Sequence, residues 1–161
     1  MKATKEITVF TDGSSLNNPG PGGYAAVLIY GDKRKELSGG FRLTTNNRME
    51  ILSAIEALRA LKKADGYIIK IHTDSELLCN AFNKGWIFKW ERENWKKRLN
   101  ADLWKKLLIE YRKYKVEFIW VKGHAGIAEN ERCDVLARTA ASGGNLPPDT
   151  EYESSQGSNI F

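Results

Sequence analysis

Apolar positions follow two different spacings along this chain, and the spacing predicts where strands and helices lie. Alternating or continuous β-prone runs predict strands over residues 6–11, 24–30, 33–43, 67–72 and 116–121. Apolar residues at helical spacing predict helices from about 46 to 62, 75 to 82, 102 to 113 and 129 to 141. The tryptophan-rich stretch from 84 to 98 has no convincing apolar stripe and is left without an element.

The order of these elements is β-β-β-α-β-α-α-β-α. Three consecutive strands with short links predict an antiparallel meander, and the later alternation of strands and helices implies right-handed crossovers. We therefore predict an α/β (α+β) fold, with a five-stranded mixed sheet that begins with three antiparallel strands and carries helices on both faces. Gly39-Gly40 inside the third strand marks either a bulge or a close approach.

Residues 1–142 are predicted to form one catalytic domain, and residues 143–161 a C-terminal tail. The tail ends in Ile160-Phe161 after a polar stretch. These two apolar residues would either dock on a groove of the domain or fray, as chain ends commonly do.

The composition is that of an ordinary globular protein, with 42% hydrophobic and 28% charged residues in a chain of 161. No apolar run reaches the roughly 18 residues of a membrane span, and no apolar signal segment precedes the first strand. We therefore expect a cytoplasmic protein without membrane contact, and a monomer. Cys79 and Cys133 are expected to be buried thiols rather than a disulfide.

The net charge of +5 is a modest excess, but it is concentrated in one segment. Residues 84–98 carry six basic side chains against two acidic ones, interleaved with Trp86, Trp90 and Trp95. A basic surface supported by aromatic side chains is typical of proteins that track phosphates. Alternatively, Trp86 and Trp90 belong to the core, because a spacing of four residues places them on one helical face.

Two predicted strands end in the same dipeptide, Thr11-Asp12 and Thr73-Asp74. Glu50 lies near the start of a predicted helix, and Asp134 interrupts an apolar helical stretch. The carboxyl ends of strands and the adjacent helix starts form the usual site crevice of an α/β sheet. Carboxylates gathered there need a cation, for which Mg²⁺ is the natural choice. Two such ions about 4 Å apart can support hydrolysis of a phosphodiester.

Each carboxylate also has a simpler interpretation. Asp12 could cap a turn at Gly13, Glu50 could interact with a helix dipole, and Asp74 could be a helix N-cap. Asp134 could pair with Arg132 or Arg138. Spacing along the chain does not decide between these interpretations and a shared site.

The two histidines receive different interpretations. His72 lies inside a predicted strand and is expected to be structural. His124 lies in a glycine-flanked loop, where it is either a turn residue or a functional one.

Five stretches resemble ribonuclease H type 1, the bacterial ribonuclease HI kind: FTDGSSLNNPGPGGYAA, TTNNRMEILSAIEAL, HTDSELL, NADLW and WVKGHAGIAENERCDVLA. They are long, in the family's order, and spread over most of residues 7–141. The resemblance implies an endonuclease that hydrolyses the RNA strand of RNA–DNA hybrids and leaves 5′-phosphate and 3′-hydroxyl ends. It also implies two Mg²⁺ ions, with Mn²⁺ as an alternative.

The family's acidic set falls on Asp12, Glu50, Asp74 and Asp134, and its flexible-loop histidine on His124. The resemblance implies that Asp12 bridges both metals, that Glu50 and Asp74 hold the metal on the nucleophile side, and that Asp134 holds the metal on the leaving-group side. His124 would assist proton transfer or product departure, a role that suits an imidazole.

Substrate contacts are also implied by the resemblance. Asn18 and Asn46 would sense the 2′-hydroxyl of RNA across the minor groove, and Thr45 and Asn100 would hold a phosphate of the DNA strand. The basic segment resembles the family's protruding handle. The full set of implied substrate-binding residues is Gly13, Ser14, Asn18, Thr45, Asn46, Asn47, Ser75, Trp86, Lys89, Lys96, Lys97, Arg98 and Asn100.

The chain departs from the family pattern in two places. The handle is shorter between Trp95 and Asn100, which predicts weaker hybrid affinity with unchanged chemistry, and Glu76 stands where a glutamine is expected. Two rival functions stay open at this point. One is another nuclease of the same fold, such as a transposase, an integrase or a junction resolvase, and the other is a non-catalytic hybrid-binding module.

Overall fold

The computed structural model describes residues 5–157. The strands are β1 (Lys5–Ser15), β2 (Gly20–Tyr30), β3 (Lys33–Thr44), β4 (Tyr67–Thr73) and β5 (Lys115–Trp120). The helices are α1 (Asn46–Arg59), α2 (Glu76–Asn83), α3 (Trp86–Arg92), α4 (Ala101–Tyr111), α5 (Ala128–Ala141) and α6 (Thr150–Gly157). None of these helices combines the length and the apolar character needed to cross a membrane.

The strands form one sheet in the order β3-β2-β1-β4-β5. β1 pairs with β2 and β2 with β3 in antiparallel fashion, whereas β1, β4 and β5 run parallel. The predicted mixed sheet is therefore confirmed. In the parallel pair, Phe10 lies opposite His72, so the chain leaves β1 and β4 at the same edge of the sheet.

Alternation along the strands supplies both faces of the sheet. Val9 and Ile71 contribute to the larger core, which also holds Ile55 of α1 and Leu107 of α4. A smaller apolar cluster on β2 packs against Cys133 and Ala137 of α5. Helices on both faces are thus confirmed. Burial of each large aliphatic side chain contributes about 1.5–3 kcal/mol.

The glycine-rich tract after Asp12 differs from its prediction as a turn. β1 continues through Gly13 to Ser15, and β2 begins at Gly20, so that Ser14 lies opposite Gly23 in a paired ladder. The turn is confined to the residues between these strands. The pairing irregularity lies between Gly20 and Gly22 rather than at Gly39-Gly40.

Gly39-Gly40 instead marks a close approach, the second alternative offered by the sequence. A Cβ atom at Gly40 would lie 2.6 Å from the carbonyl oxygen of Ala140 on α5. The close contact between β3 and the end of α5 therefore needs a residue without a side chain at this position.

Two helices were missed in the sequence. α3 has only Ile87 and Trp90 buried, too few apolar contacts to form a visible stripe. α6 is polar, and its contacts with the body are made largely by charged side chains. The two cysteines, Cys79 and Cys133, are buried and free, as expected.

The segment before and within α6 touches the β3 side of the molecule. The backbone N–H of Arg42 donates to the carbonyl of Pro147 at 2.9 Å, and the Arg42 side chain pairs with Glu153 at 2.8 Å. The predicted anchor Ile160-Phe161 lies outside the described residues, so its docking stays a prediction.

Candidate active site

A cleft of about 410 Å³ opens where the chain leaves β1 and β4. Asp12 lies in β1, Asp74 follows β4 directly, and Glu50 projects from α1. Each of these residues offers a carboxylate oxygen within 4.8 Å of those of the other two. The structure therefore brings together three carboxylates that are far apart in the sequence.

Gly13 explains how β1 and α1 come close enough to form this cluster. A Cβ atom at Gly13 would overlap the backbone of Met49 and Glu50 in α1. Only glycine allows the strand to touch the helix backbone here, and this contact sets Glu50 beside Asp12.

The three carboxylates lack a compensating cation among the described side chains, and their acidities show it. Burial raises the pKa of Asp12 to about 7, and the negative charge of Asp74 raises it further. Burial, followed by the charge of Asp12, raises the pKa of Glu50 well above its usual value. Burial and the charge of Asp134 raise the pKa of Asp74 as well. Such shifts are typical of functional sites.

The simpler interpretations of two carboxylates are wrong. Ser75, not Asp74, caps α2, because its hydroxyl accepts from the backbone N–H of Leu78 at 3.1 Å. Glu50 lies beyond the first turn of α1, and that turn contains no acidic residue. One oxygen of Glu50, Oε2, is buried without a hydrogen-bond partner among residues 5–157. A buried acceptor in this state needs a cation or a proton.

Asp12 and Asp134 retain part of their simpler interpretations. The Asp12 carboxylate accepts from the N–H of Gly13 at 2.9 Å, although Gly13 lies in a strand rather than in a turn. Asp134 lines the cleft but pairs with Arg138 at 2.9 Å, four residues along α5. It is not part of the group of three close carboxylates.

His124 lines the same cleft from the loop between β5 and α5. Its backbone has a φ of 56°, in the left-handed region. The preceding residue, Gly123, rests on Asp74: a Cβ atom there would lie 2.8 Å from Oδ2 of the carboxylate. The His124 loop and the Asp74 side chain are therefore in direct contact.

His72 is structural, as expected. Its ring stacks on Phe10 with centroids 4.7 Å apart, and Nδ1 lies 3.2 Å from the carbonyl oxygen of Val9.

The predicted RNA-side residues surround the start of α1. Asn46 accepts from the backbone N–H of Ser15 at 2.6 Å and donates its own N–H to Asn18 at 3.1 Å. Gly13, Asn46, Asn47 and Ser75 line the cleft with the carboxylates. Ser14 and Asn18 do not line it, and lie on β1 and on the link between β1 and β2.

The predicted DNA-side residues lie away from the carboxylates. Thr45 is the N-cap of α1 and accepts from the N–H of Arg48, and Asn100 is the residue before α4. The side chain of Asn100 accepts from Arg48 at 3.3 Å. Thr45 and Asn100 are thus linked through one arginine.

The basic segment from 84 to 98 forms α3 and the loop after it, outside the cleft. Trp86 is 36% exposed whereas Trp90 is buried, so the spacing of four residues places only one of them in the core. The guanidinium of Arg98 lies 4.1 Å from the ring centroid of Trp90. The remaining exposed members of the set are Lys89, Lys96 and Lys97.

Three residues at or near this site were not predicted as functional. Glu76 lines the cleft, Trp120 donates from its indole N–H to the backbone carbonyl of Asp74 at 3.2 Å, and Arg48 links Thr45 to Asn100. Arg48 lies inside the TTNNRME motif, so the motif offered a signal for it. Nothing local marks Trp120, which reaches Asp74 only because β4 and β5 are paired.

Comparison with known proteins points to one family. The RNase H family model matches residues 4–142. Ribonuclease H of Syntrophus aciditrophicus is 52% identical over 153 residues, which cover 92% of this chain and 87% of the relative. Ribonuclease H of Nitratidesulfovibrio vulgaris (Miyazaki F) is 54% identical over 153 residues, covering 92% of this chain and 97% of the relative.

Solved structures agree. LC9-RNase H1, described as a type 1 RNase H with the type 2 active-site motif, has a TM-score of 0.77 at 31% identity, covering 96% of this chain and 83% of that one. LC11-RNase H1, solved in complex with an RNA/DNA hybrid, shares the fold with a TM-score of 0.65 at 23% identity, covering 84% of this chain and 96% of that one.

Proposed function

Since the chain belongs to the RNase H family, we propose that it is an endonuclease that hydrolyses the RNA strand of RNA–DNA hybrids. The observation that carries this proposal is the convergence of Asp12, Glu50 and Asp74 within 4.8 Å in an open cleft. The products would carry 5′-phosphate and 3′-hydroxyl ends.

The residues present fit divalent metal ions. Three hard oxygen donors lie together, one buried oxygen of Glu50 has no hydrogen-bond partner among the described residues, and burial disfavours their charged forms. We assign two Mg²⁺ ions, with Mn²⁺ as an alternative, to Asp12, Glu50, Asp74 and Asp134. When bound, such ions lower the pKa of a water nucleophile and stabilise the charge that develops on the leaving oxygen.

Asp134 has two competing roles at this site. It lines the cleft, where it would hold the metal on the leaving-group side, and it pairs with Arg138 at 2.9 Å. Arg138 therefore competes with a metal ion for the Asp134 carboxylate.

His124 is the group best placed to move a proton. It lines the cleft beside the carboxylates, on a loop whose Gly123 touches Asp74. We assign it the transfer of a proton to or from the departing product.

Recognition of the RNA strand is assigned to the surface between β1 and α1. Asn46 is held there by hydrogen bonds with Ser15 and Asn18. Its neighbours in this role are Gly13, Ser14, Asn47 and Ser75. Polar groups fixed in this way can distinguish a 2′-hydroxyl across a wide minor groove.

The DNA strand would be held at two places, by Thr45 with Asn100 and by the basic segment. Trp86, Lys89, Lys96, Lys97 and Arg98 are exposed on α3 and its following loop. Cations on such a ledge bind phosphates without regard to sequence, which makes binding sensitive to salt.

The proposal is tested by incubating end-labelled RNA–DNA hybrid, double-stranded RNA and double-stranded DNA with the protein and Mg²⁺. We expect cleavage of the RNA strand of the hybrid alone, and a fall in kcat of roughly 10³-fold or more in Asp12→Asn. Asp65→Asn, an exposed acid outside the cleft, is the matched control.

Three outcomes would contradict the proposal. Equal cleavage of the three substrates would favour a different nuclease of this fold. Binding without cleavage would favour a non-catalytic module. Full activity of Asp12→Asn would remove Asp12 from the mechanism.

A further inference from the structure

Arg48 is a buried cation at the start of α1, with only 4% of its side chain exposed. Two carboxylates surround it. Its guanidinium pairs with Asp102 at 2.7 Å and with Asp149 at 2.7 Å, each through two hydrogen bonds. A buried charge held in this way is fixed in position, because a shift of the side chain would break several charge-assisted hydrogen bonds together.

The same arginine contacts both predicted DNA-strand ligands. Its backbone N–H donates to Oγ1 of Thr45 at 3.2 Å, and its Nη1 donates to Oδ1 of Asn100 at 3.3 Å. With Oδ1 held as an acceptor, the amide NH₂ of Asn100 is the part that can donate to a phosphate oxygen. Arg48 therefore orients the donor group of Asn100 as well as the cap of α1.

Asp149 reaches this place from the segment that follows α5, beyond residues 4–142 matched by the family model. It is 8% exposed and also accepts from the hydroxyl of Thr44 at 2.7 Å. One carboxylate thus grips the residue before Thr45 and the arginine after it. The aromatic ring of Tyr152, on α6, lies 5.9 Å from the guanidinium of Arg48.

We propose that Asp149 is a positioning residue for the hybrid's DNA strand: through Arg48 and Thr44 it holds Thr45 and Asn100 in the geometry that binds a phosphate. This inference rests on the proposed function. The C-terminal segment thereby takes part in substrate binding without touching the substrate.

The geometry separates this role from catalysis. Asp149 lies in the group around Arg48, Asp102 and Pro148, whereas the carboxylates that would hold metal line a different cleft. Loss of Asp149 should therefore weaken binding and leave the chemical step unchanged.

The test compares Asp149→Asn with the matched control Glu153→Gln, which removes an exposed ion pair from the same segment. Steady-state hybrid cleavage in Mg²⁺ is measured at least 20 °C below each variant's Tm. We expect KM to rise about tenfold in Asp149→Asn, in line with a lost hydrogen bond to a charged group, with kcat within about twofold of wild type. Glu153→Gln should leave both unchanged.

A second measurement separates positioning from a loss of rigidity in general. Asn100→Ala is combined with Asp149→Asn, and hybrid binding is measured with Ca²⁺ in place of Mg²⁺. If Asp149 acts through Asn100, the double variant should bind only about as weakly as Asn100→Ala, because effects of residues in one network do not add. If Asp149→Asn does not fold, Asp102→Asn serves in its place, since it removes the other carboxylate from Arg48.

The outcomes are distinguishable. Unchanged KM in Asp149→Asn, or fully additive losses in the double variant, would overturn the positioning role while wild-type cleavage upheld the proposed function. A wild-type protein that neither binds nor cuts the hybrid would overturn the proposed function, and this inference with it.

Discussion

Two residues of one helical turn, Arg48 and Glu50, belong to buried charged groups of opposite kinds. Arg48 is enclosed by Asp102 and Asp149, and its hydrogen bonds are satisfied by them. Glu50 faces Asp12 and Asp74, all of the same charge, and one of its oxygens has no partner among the described residues. We call these the Arg48 cluster and the Glu50 cluster.

The difference concerns what each cluster needs in order to be stable. The Arg48 cluster is complete within the chain, because a buried charge with well-placed counter-charges has replaced its water. The Glu50 cluster is stable in its charged form only with a cation supplied from outside. One cluster therefore serves to hold geometry and the other to hold a ligand, although both start from α1.

The largest expected effect on stability comes from breaking the Arg48 cluster. Arg48→Met keeps the length of the side chain but leaves Asp149 buried without its cation, which should lower the free energy of unfolding by about 3–5 kcal/mol. Urea denaturation at pH 7 measures it. Arg42→Met, which loses an exposed pair with Glu153, should lose less than about 1 kcal/mol. Equal losses in the two variants would erase the distinction drawn for the Arg48 cluster.

An opposite sign is expected in the Glu50 cluster. The pKa of Asp12 is raised to about 7, so the folded state binds a proton that the unfolded state releases near pH 4. Without divalent metal, wild type should lose stability as pH rises from 4 to 7. Asp12→Asn should escape this loss and exceed wild type by on the order of 2 kcal/mol at pH 7.5.

Denaturation in EDTA at pH 4.5 and 7.5 measures this difference, and added Mg²⁺ should narrow it at the higher pH by stabilising the wild type. A wild-type protein without metal whose stability relative to Asp12→Asn does not change with pH would show that Asp12 is already compensated.

A smaller effect of the reverse pH dependence is expected for Asp102. Burial would raise its pKa, but the hydrogen bonds and charge of Arg48 outweigh burial and lower it. Its contribution is therefore present above about pH 4 and lost as the pH falls through the lowered value, and it should amount to about 1 kcal/mol. Asp102→Asn should differ from wild type at pH 6 and converge with it near pH 3, while exposed Asp65→Asn tracks wild type throughout.

The smallest effect tests the competition for Asp134. Arg138→Gln removes the cation that pairs with Asp134 and should tighten Mg²⁺ binding by about two- to fivefold, as expected for a partly exposed ion pair. Arg132→Gln is the control, because Arg132 lies on the same helix but pairs with Glu36. Isothermal titration of Mg²⁺ compares them. Weaker binding in Arg138→Gln would show that Arg138 helps to place Asp134 instead.

The two clusters also differ in how far the sequence could predict them. The Glu50 cluster was within reach because Thr11-Asp12 and Thr73-Asp74 end strands that the apolar pattern identifies. Parallel strands deliver such residues to one edge of a sheet. What the pattern left undecided was local: Asp74 and Ser75 can both cap a helix, and only the three-dimensional structure shows that Ser75 does so.

The Arg48 cluster could not be predicted in the same way. Arg48 and Asp149 are 101 residues apart, and neither lies in an element whose apolar pattern implies the contact. α6 contains few apolar residues, so no periodic signal announces it. The strand residues after Asp12 were missed for a related reason, since Gly13 is paired because α1 lies against it rather than because glycine favours strands.

The hydrogen bond from Arg42 to Pro147 bears on how this protein stays apart from its neighbours. β3 is an outer strand of the sheet, and a bare outer strand is a template for edge-to-edge aggregation. The segment that covers part of it contains Pro147 and Pro148, which have no N–H to offer a further strand. The sheet is thereby closed on this side by a backbone that cannot extend it.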